Sequence, residues 1–147
     1  MLSNFGELQK TVSLIGAKLG APKSMLLVRE SSPEDGTPHV EFKSEGFEYV
    51  SSERGYEIFR KHTHSLDELL FWIISRVAFN MAVDYELSHR AAGKDSRIMI
   101  FEKYLSELSR INKEWGKKRL MKSRRYCSPL HFQIVEVDGN DQERLRV

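Results

Sequence analysis

Histidines, a lone cysteine and a polar ridge inside an otherwise apolar stretch are the side chains here whose types suit chemistry. His39, His62, His64, His89 and His131 are spread along the chain, and only His62 and His64 are close neighbours. Two histidines at that spacing on a strand end can face one way and hold a metal together with a carboxylate. A zinc site needs three or four protein ligands, and no Cys pair or HExxH-type helix supplies the rest, so structural or merely polar roles are expected. Cys127 would need a positioned base to act as a nucleophile. The basic residues beside it would lower its pKa, but its segment has no anchor, and an incidental thiol is expected. Gly16, Gly20, Gly36, Gly46 and Gly55 are scattered singly, none within GxGxxG or GxxxxGK[ST], and there is no GxSxG elbow. The reading is a non-enzyme with no catalytic residue, no metal and no cofactor.

The polar residues that remain suit recognition. Arg76, Asn80 and Asp84 follow one another at i, i+4 and i+8 along one helix face. Buried and unpaired they would cost several kcal/mol each, on the order of 2–7, so they form a structural network, a solvent-facing stripe or a groove offered to a partner. Beyond them Tyr85, Glu86, His89, Arg90, Asp95 and Arg97 gather charge at a loop tip, where recognition residues are often carried. Glu86 and Arg90 are spaced for an i,i+4 pair, and Asp95 is explained by helix capping. Lys117, Lys118, Arg119, Lys122, Arg124 and Arg125 put six positive charges and no negative ones into nine residues. Such a run suffices for weak, salt-sensitive phosphate binding, but only Tyr126 lies alongside and no base-reading motif is present. A solvated helix end, its cations suiting the negative pole of the helix dipole, is the simpler reading.

These residues must be positioned by ordinary globular elements. The chain has 147 residues, 40% hydrophobic and 30% charged, which fits a single α+β domain over 1–137 followed by a flexible tail at 138–147. One cysteine excludes a disulfide framework within the chain. Met1-Leu2-Ser3-Asn4 lacks the basic start of a secretion signal, so the cytoplasm is the expected address. Twelve of the fifteen residues from Leu69 to Val83 are apolar, but a membrane-spanning helix needs about 20. Outside the basic run the chain carries 17 Lys/Arg against 21 Asp/Glu, a net −4.

An N-terminal helix is predicted from about Asn4 to Leu19, with Asn4 and Glu7 as a capping box and Leu8, Val12, Ile15 and Leu19 as its apolar stripe. Four strand candidates follow at Met25–Arg29, His39–Lys43, Phe47–Val50 and Tyr56–Arg60, separated by turns short enough for an antiparallel meander; the fourth alternates poorly. Ser65 and Glu68 form a second capping box. It opens a helix that is apolar nearly all round and runs to about Arg90, roughly 39 Å at 1.5 Å per residue. Asp95 caps a last long helix with its seam at Ile98, Phe101, Leu105, Leu108, Ile111 and Trp115. A short connection makes the two an antiparallel hairpin, and Gly116 weakens the second by about 1 kcal/mol relative to Ala. Phe132–Val137 is a possible short C-terminal strand.

Glu53-Arg54-Gly55 at a strand turn, then Asp67-Glu68-Leu69-Leu70-x-Trp72, Ala82-x-Asp84-Tyr85-Glu86, Arg90, Asp95-x-Arg97, Phe101 and Trp115, together resemble the immunity protein 63 family of bacterial polymorphic toxin systems. The resemblance covers about Tyr49 to Met121. It implies a cytoplasmic antidote that binds a cognate protein toxin and silences it, with no catalytic residues. The candidate partner-binding residues are Glu53, Arg54, Arg76, Asn80, Asp84, Glu86, His89, Arg90, Asp95 and Arg97. No membrane partner is expected, and a nucleic-acid-associated regulator using the 117–125 run is the alternative. A mildly acidic body would suit a basic toxin such as a nuclease, though a net −4 does not choose among toxins.

Overall fold

The computed structural model describes residues 4–90, 92–93 and 95–126, with side chains through residue 121. In chain order the elements are α1 (Phe5–Leu19), a 3-10 turn (Lys23–Leu26), β1 (His39–Lys43), β2 (Gly46–Glu53), β3 (Tyr56–Thr63), α2 (Leu66–Ser88), α3 (Ser96–Ile111) and α4 (Lys113–Tyr126). The chain divides into two compact units, Met1–Val77 and Ala78–Val147. Among the described residues no helix is long and apolar enough to cross a membrane.

In the first unit, Asn4 caps α1 by accepting the Glu7 N–H at 2.9 Å. Of the predicted stripe Leu8, Val12 and Leu19 are buried and Ile15 is half-buried. Gly16 lies where the helix meets Leu26 so closely that an added Cβ would come within 2.2 Å of that leucine's side chain. Among the described residues the sheet is antiparallel in the order β1-β2-β3, three strands instead of the expected four. The difference is Met25–Arg29, which starts as the 3-10 turn. Gln9 on α1 explains why. Its Nε2 donates to the Leu26 carbonyl and its Oε1 accepts the Val28 N–H, both at 2.8 Å. A side-chain amide thus satisfies backbone groups that a sheet ladder would otherwise take. One bond from the Val40 N–H to the Arg29 carbonyl, at 3.0 Å, reaches this segment from β1.

The weakly alternating Tyr56–Arg60 segment is a true strand, longer than expected. It pairs with β2 from Glu53↔Tyr56 to Phe47↔Thr63. Ser51 faces Phe59 while Ser52 faces Glu57, so Ile58 is an extra residue that bulges the strand, and this bulge upsets the expected alternation. One sheet face carries Tyr49 stacked on Trp72 of α2 at 6.1 Å, with Phe59 5.9 Å away. At its other end Phe42 lies between Phe47 and Phe5 of α1, at 5.4 and 4.8 Å. Gly46 has φ 125°, and a Cβ there would sit 2.3 Å from the Thr63 carbonyl oxygen. The β1–β2 turn therefore requires glycine.

α2 begins as predicted, with Ser65 Oγ accepting the Glu68 N–H at 3.1 Å. Its first half is buried through Leu69, Leu70, Phe71, Ile73, Ile74 and Val77. In the second unit the long final helix is broken in two. Asn112 is extended at φ −156°, and its Oδ1 accepts the N–H groups of Glu114 and Trp115 at 2.9 and 3.2 Å. An asparagine side chain competing for backbone donors ends α3 and caps α4. Gly116, expected only to weaken a helix, is a contact point: a Cβ there would come within 2.1 Å of the Ser109 hydroxyl. Leu105, Leu120 and Phe101 pack together across α3 and α4. The possible strand Phe132–Val137, the tail 138–147, Cys127 and His131 lie outside the described residues.

Replacing Gln9 by Leu leaves the Leu26 carbonyl and the Val28 N–H without their part-buried partner. The expected loss is about 1–3 kcal/mol of unfolding free energy, measured by urea denaturation.

Candidate partner-binding site

The sheet carries the densest charge cluster of the first unit, and register puts it there. Glu41 stands opposite Glu48 across β1 and β2, and His62 opposite Glu48 across β2 and β3. Two carboxylates facing each other repel. Arg60 on β3 answers both: its Nη1 meets Glu48 and lies 3.1 Å from Glu41, while its Nη2 holds Glu57 at 2.8 Å. Glu41 also takes Lys43 and His39 Nε2, each at 2.9 Å. These bonds, His39 first and then Lys43 and Arg60, hold the Glu41 carboxyl at about 2 against an ordinary 4.5. His39 is buried, and among the described residues its Nδ1 has no hydrogen-bond partner. His62 and His64 meet edge to face at 4.9 Å, with His62 Nδ1 3.6 Å from Glu48. Among the described residues no group of three His, Cys, Asp or Glu side chains is placed to hold a metal ion. On the opposite face burial pushes the Tyr49 phenol up to about 12, and the positive charge of Arg76 opposes that rise.

Glu53 and Arg54 sit at the end of this sheet. Arg54 and Gly55 both have positive φ, 51° and 78°, the two-residue turn of a tight hairpin. A second strand-like segment braces it. Glu34, itself at φ 61°, accepts the Arg54 N–H on its carbonyl at 3.2 Å, and its carboxylate takes the Gly55 N–H. Gly36 donates to the Ser52 carbonyl at 3.0 Å and accepts the Ser51 hydroxyl at 2.6 Å. On this corner Tyr56 and Ile58 are 76% and 53% exposed.

The remaining candidates are on α2 and the tip beyond it. Arg76 and Asp84 are exposed and Asn80 is half-buried, the solvent-facing stripe among the alternatives. Glu86 turns inward: it is 3% exposed and binds Arg90 Nη2 and Nε at 2.9 and 3.1 Å. The Arg90 bond is the main cause that lowers its pKa, and a further bond from the Ser96 hydroxyl ties the end of α2 to the start of α3. Asp95 caps α3 through the Arg97 N–H at 2.9 Å, with the Arg97 guanidinium 3.4 Å away. His89 stacks on Tyr85 at 4.1 Å, and Lys103 lies over the same ring at 4.4 Å. Phe79 meets Tyr104 edge-on at 5.7 Å, and Arg119 covers Tyr104 at 5.4 Å. Lys117 lies 3.7 Å from Glu114, so part of the basic run already answers neighbours within its own unit.

A profile of the family described as Immunity protein 63 matches residues 43–125. The chain belongs to the Immunity protein 63 family. No curated protein and no solved structure matches it. The Immunity protein 63 match starts at the last residue of β1 and takes in β2, β3, α2, α3 and nearly all of α4. Glu53, Arg54, Tyr56 and Ile58 are inside it; Gln9, Glu34, Gly36 and Glu41 precede it. The family segment is thus completed by elements from outside: a helix that braces by side chain, and a strand that supplies charge partners.

Sequence reasoning brought together Glu86 with Arg90 from helix spacing and placed Asp95 as a cap; the Arg97 guanidinium beside that cap was not foreseen. It missed the Arg60 cluster, because Glu41, Glu48 and Arg60 meet only once the register is known. It also missed Tyr56 and Ile58 as surface groups, since apolar residues in a strand read as core.

Glu41 titrates in the folded chain well below its ordinary value, so the unfolded chain takes up that proton first as pH falls. Its contribution is full above about pH 4.5 and is lost toward about pH 2. Glu41→Gln is expected to cost about 1–2 kcal/mol at pH 7, allowing for solvent screening. The gap to wild type should close as unfolding is measured from pH 4.5 downward; a gap that stays constant contradicts the assignment.

Proposed function

We propose that this Immunity protein 63 member binds a cognate polymorphic toxin in the cytoplasm and neutralises it by stoichiometric protein–protein inhibition. The family match over residues 43–125 carries this reading. Inhibition of this kind requires no catalytic group. A folded surface covers or distorts the toxin's site, and complementary charge speeds capture. Residues 1–137 act as one immunity domain and 138–147 as its tail. Glu53, Arg54, Asn80, Asp84, His89 and Arg97 offer exposed or half-exposed polar groups for contact. Arg76 joins them on the first half of α2. Glu86, Arg90 and Asp95 contribute by holding the tip in shape.

Co-expression with the toxin encoded by a neighbouring gene tests the reading. Growth is expected to be restored, and the purified proteins should elute as a 1:1 complex. Cells that die despite soluble, folded immunity protein would refute it.

A further inference from the structure

Among the described residues β3 is an outer strand of the sheet, and residues 56–62 are exposed apart from the half-buried Phe59. Its two most exposed apolar side chains, Tyr56 and Ile58, adjoin the tight Arg54-Gly55 turn. Among the described residues, no hydrogen bond, ion pair or ring contact occupies the side chains of Tyr56, Glu53 or Arg54. The strand is ill-suited to pairing edge to edge with another strand, because the bulge at Ile58 interrupts its ladder and Lys61 stands on it. Side chains are therefore what this edge offers. Glu34 and Gly36 clamp the turn from behind, so it is preformed, and little ordering is required on contact.

Charge identifies the occupant. Residues 29–60 carry eight carboxylates against four Lys/Arg, a net −4, while the rest of the chain outside the basic run is balanced at 13 each. The whole acidic excess thus lies in the segment that forms β1, β2, the turn and the start of β3. The competing patch on α2 is less free: Phe79 is packed by Tyr104, and Tyr85 is covered by His89 and Lys103.

From these observations we infer that the β2–β3 corner is the docking surface for a cationic face of the toxin. Tyr56 and Ile58 enter an apolar recess there, and Lys or Arg side chains of the toxin ring the contact against Glu53, Glu34 and Asp35. This rests on the neutralisation reading above and deepens it.

The test measures binding kinetics of the full chain to the toxin domain encoded beside the gene, in a catalytically inactivated form. Tyr56→Ala and Ile58→Ser are compared with Leu87→Ser, a 58% exposed control on α2, after circular dichroism and Tm show each variant folded. Tyr56→Ala is expected to weaken Kd about 30-fold or more, as hot-spot aromatics do, and Leu87→Ser by no more than about 3-fold. Glu53→Lys should slow association about 10-fold at low salt, with the difference vanishing near 0.5 M NaCl. Wild-type affinity for both β3 variants, faster association of Glu53→Lys, or a Tyr56-dependent dimer of the free protein in sedimentation would overturn the inference and leave neutralisation standing. Wild-type protein that fails to bind the toxin brings down both.

Discussion

Arg60 bridges three glutamates from three strands of a sheet that would otherwise set two of them against each other. Glu41 and Glu48 are direct cross-strand neighbours, and a guanidinium, with several donors in a fixed fork, can satisfy both and still reach Glu57. The same contact tethers β3. That strand gains little from burial, since of its residues only Thr63 is buried; its ladder to β2, the Phe59–Tyr49 contact and Arg60 attach it. These side-chain contacts lie on both faces of the sheet but do not cover Tyr56 and Ile58, which are left facing water. The charge arrangement that holds the sheet together thus also sets what its far end can present.

The capped helices were legible from residues alone. Asn4, Ser65 and Asp95 each stand where a side-chain oxygen meets a free backbone N–H, and all three start a helix as expected. β1 and β2 were legible from turn residues and alternation, and β3, whose alternation is poor, from the turns on either side of it. What failed was non-local or competitive. Met25–Arg29 has a strand's composition, yet Gln9, seventeen and nineteen positions away, takes the backbone groups a ladder would need. The apolar seam runs on past Asn112 without a break, but that side chain outcompetes the continuing helix for two N–H groups. At the candidate site, i,i+4 spacing revealed Glu86–Arg90, whereas the Arg60 cluster depends on register, and the exposure of Tyr56 depends on β3 being an outer strand. Neither can be read from one strand's own pattern.

The match to the Immunity protein 63 family covers residues 43–125, and the parts before it have a distinct physical task. α1 braces the segment after it through Gln9. The 34–36 stretch clamps the turn at Arg54-Gly55, and β1 supplies Glu41 and His39 to the charge cluster. The exposed end of the family segment is therefore shaped by residues that precede it, which gives a protein of this family a way to adjust a docking corner without rebuilding its framework.

Amide hydrogen exchange of the 1:1 complex with inactivated toxin, compared with the free protein, addresses the account most directly. Slowed exchange is expected to be strongest at residues 53–60, with weaker protection along the polar stripe of α2 and at the 89–97 tip. Protection confined to α2 and the 89–97 tip, with the β2–β3 turn exchanging as in the free protein, would contradict it.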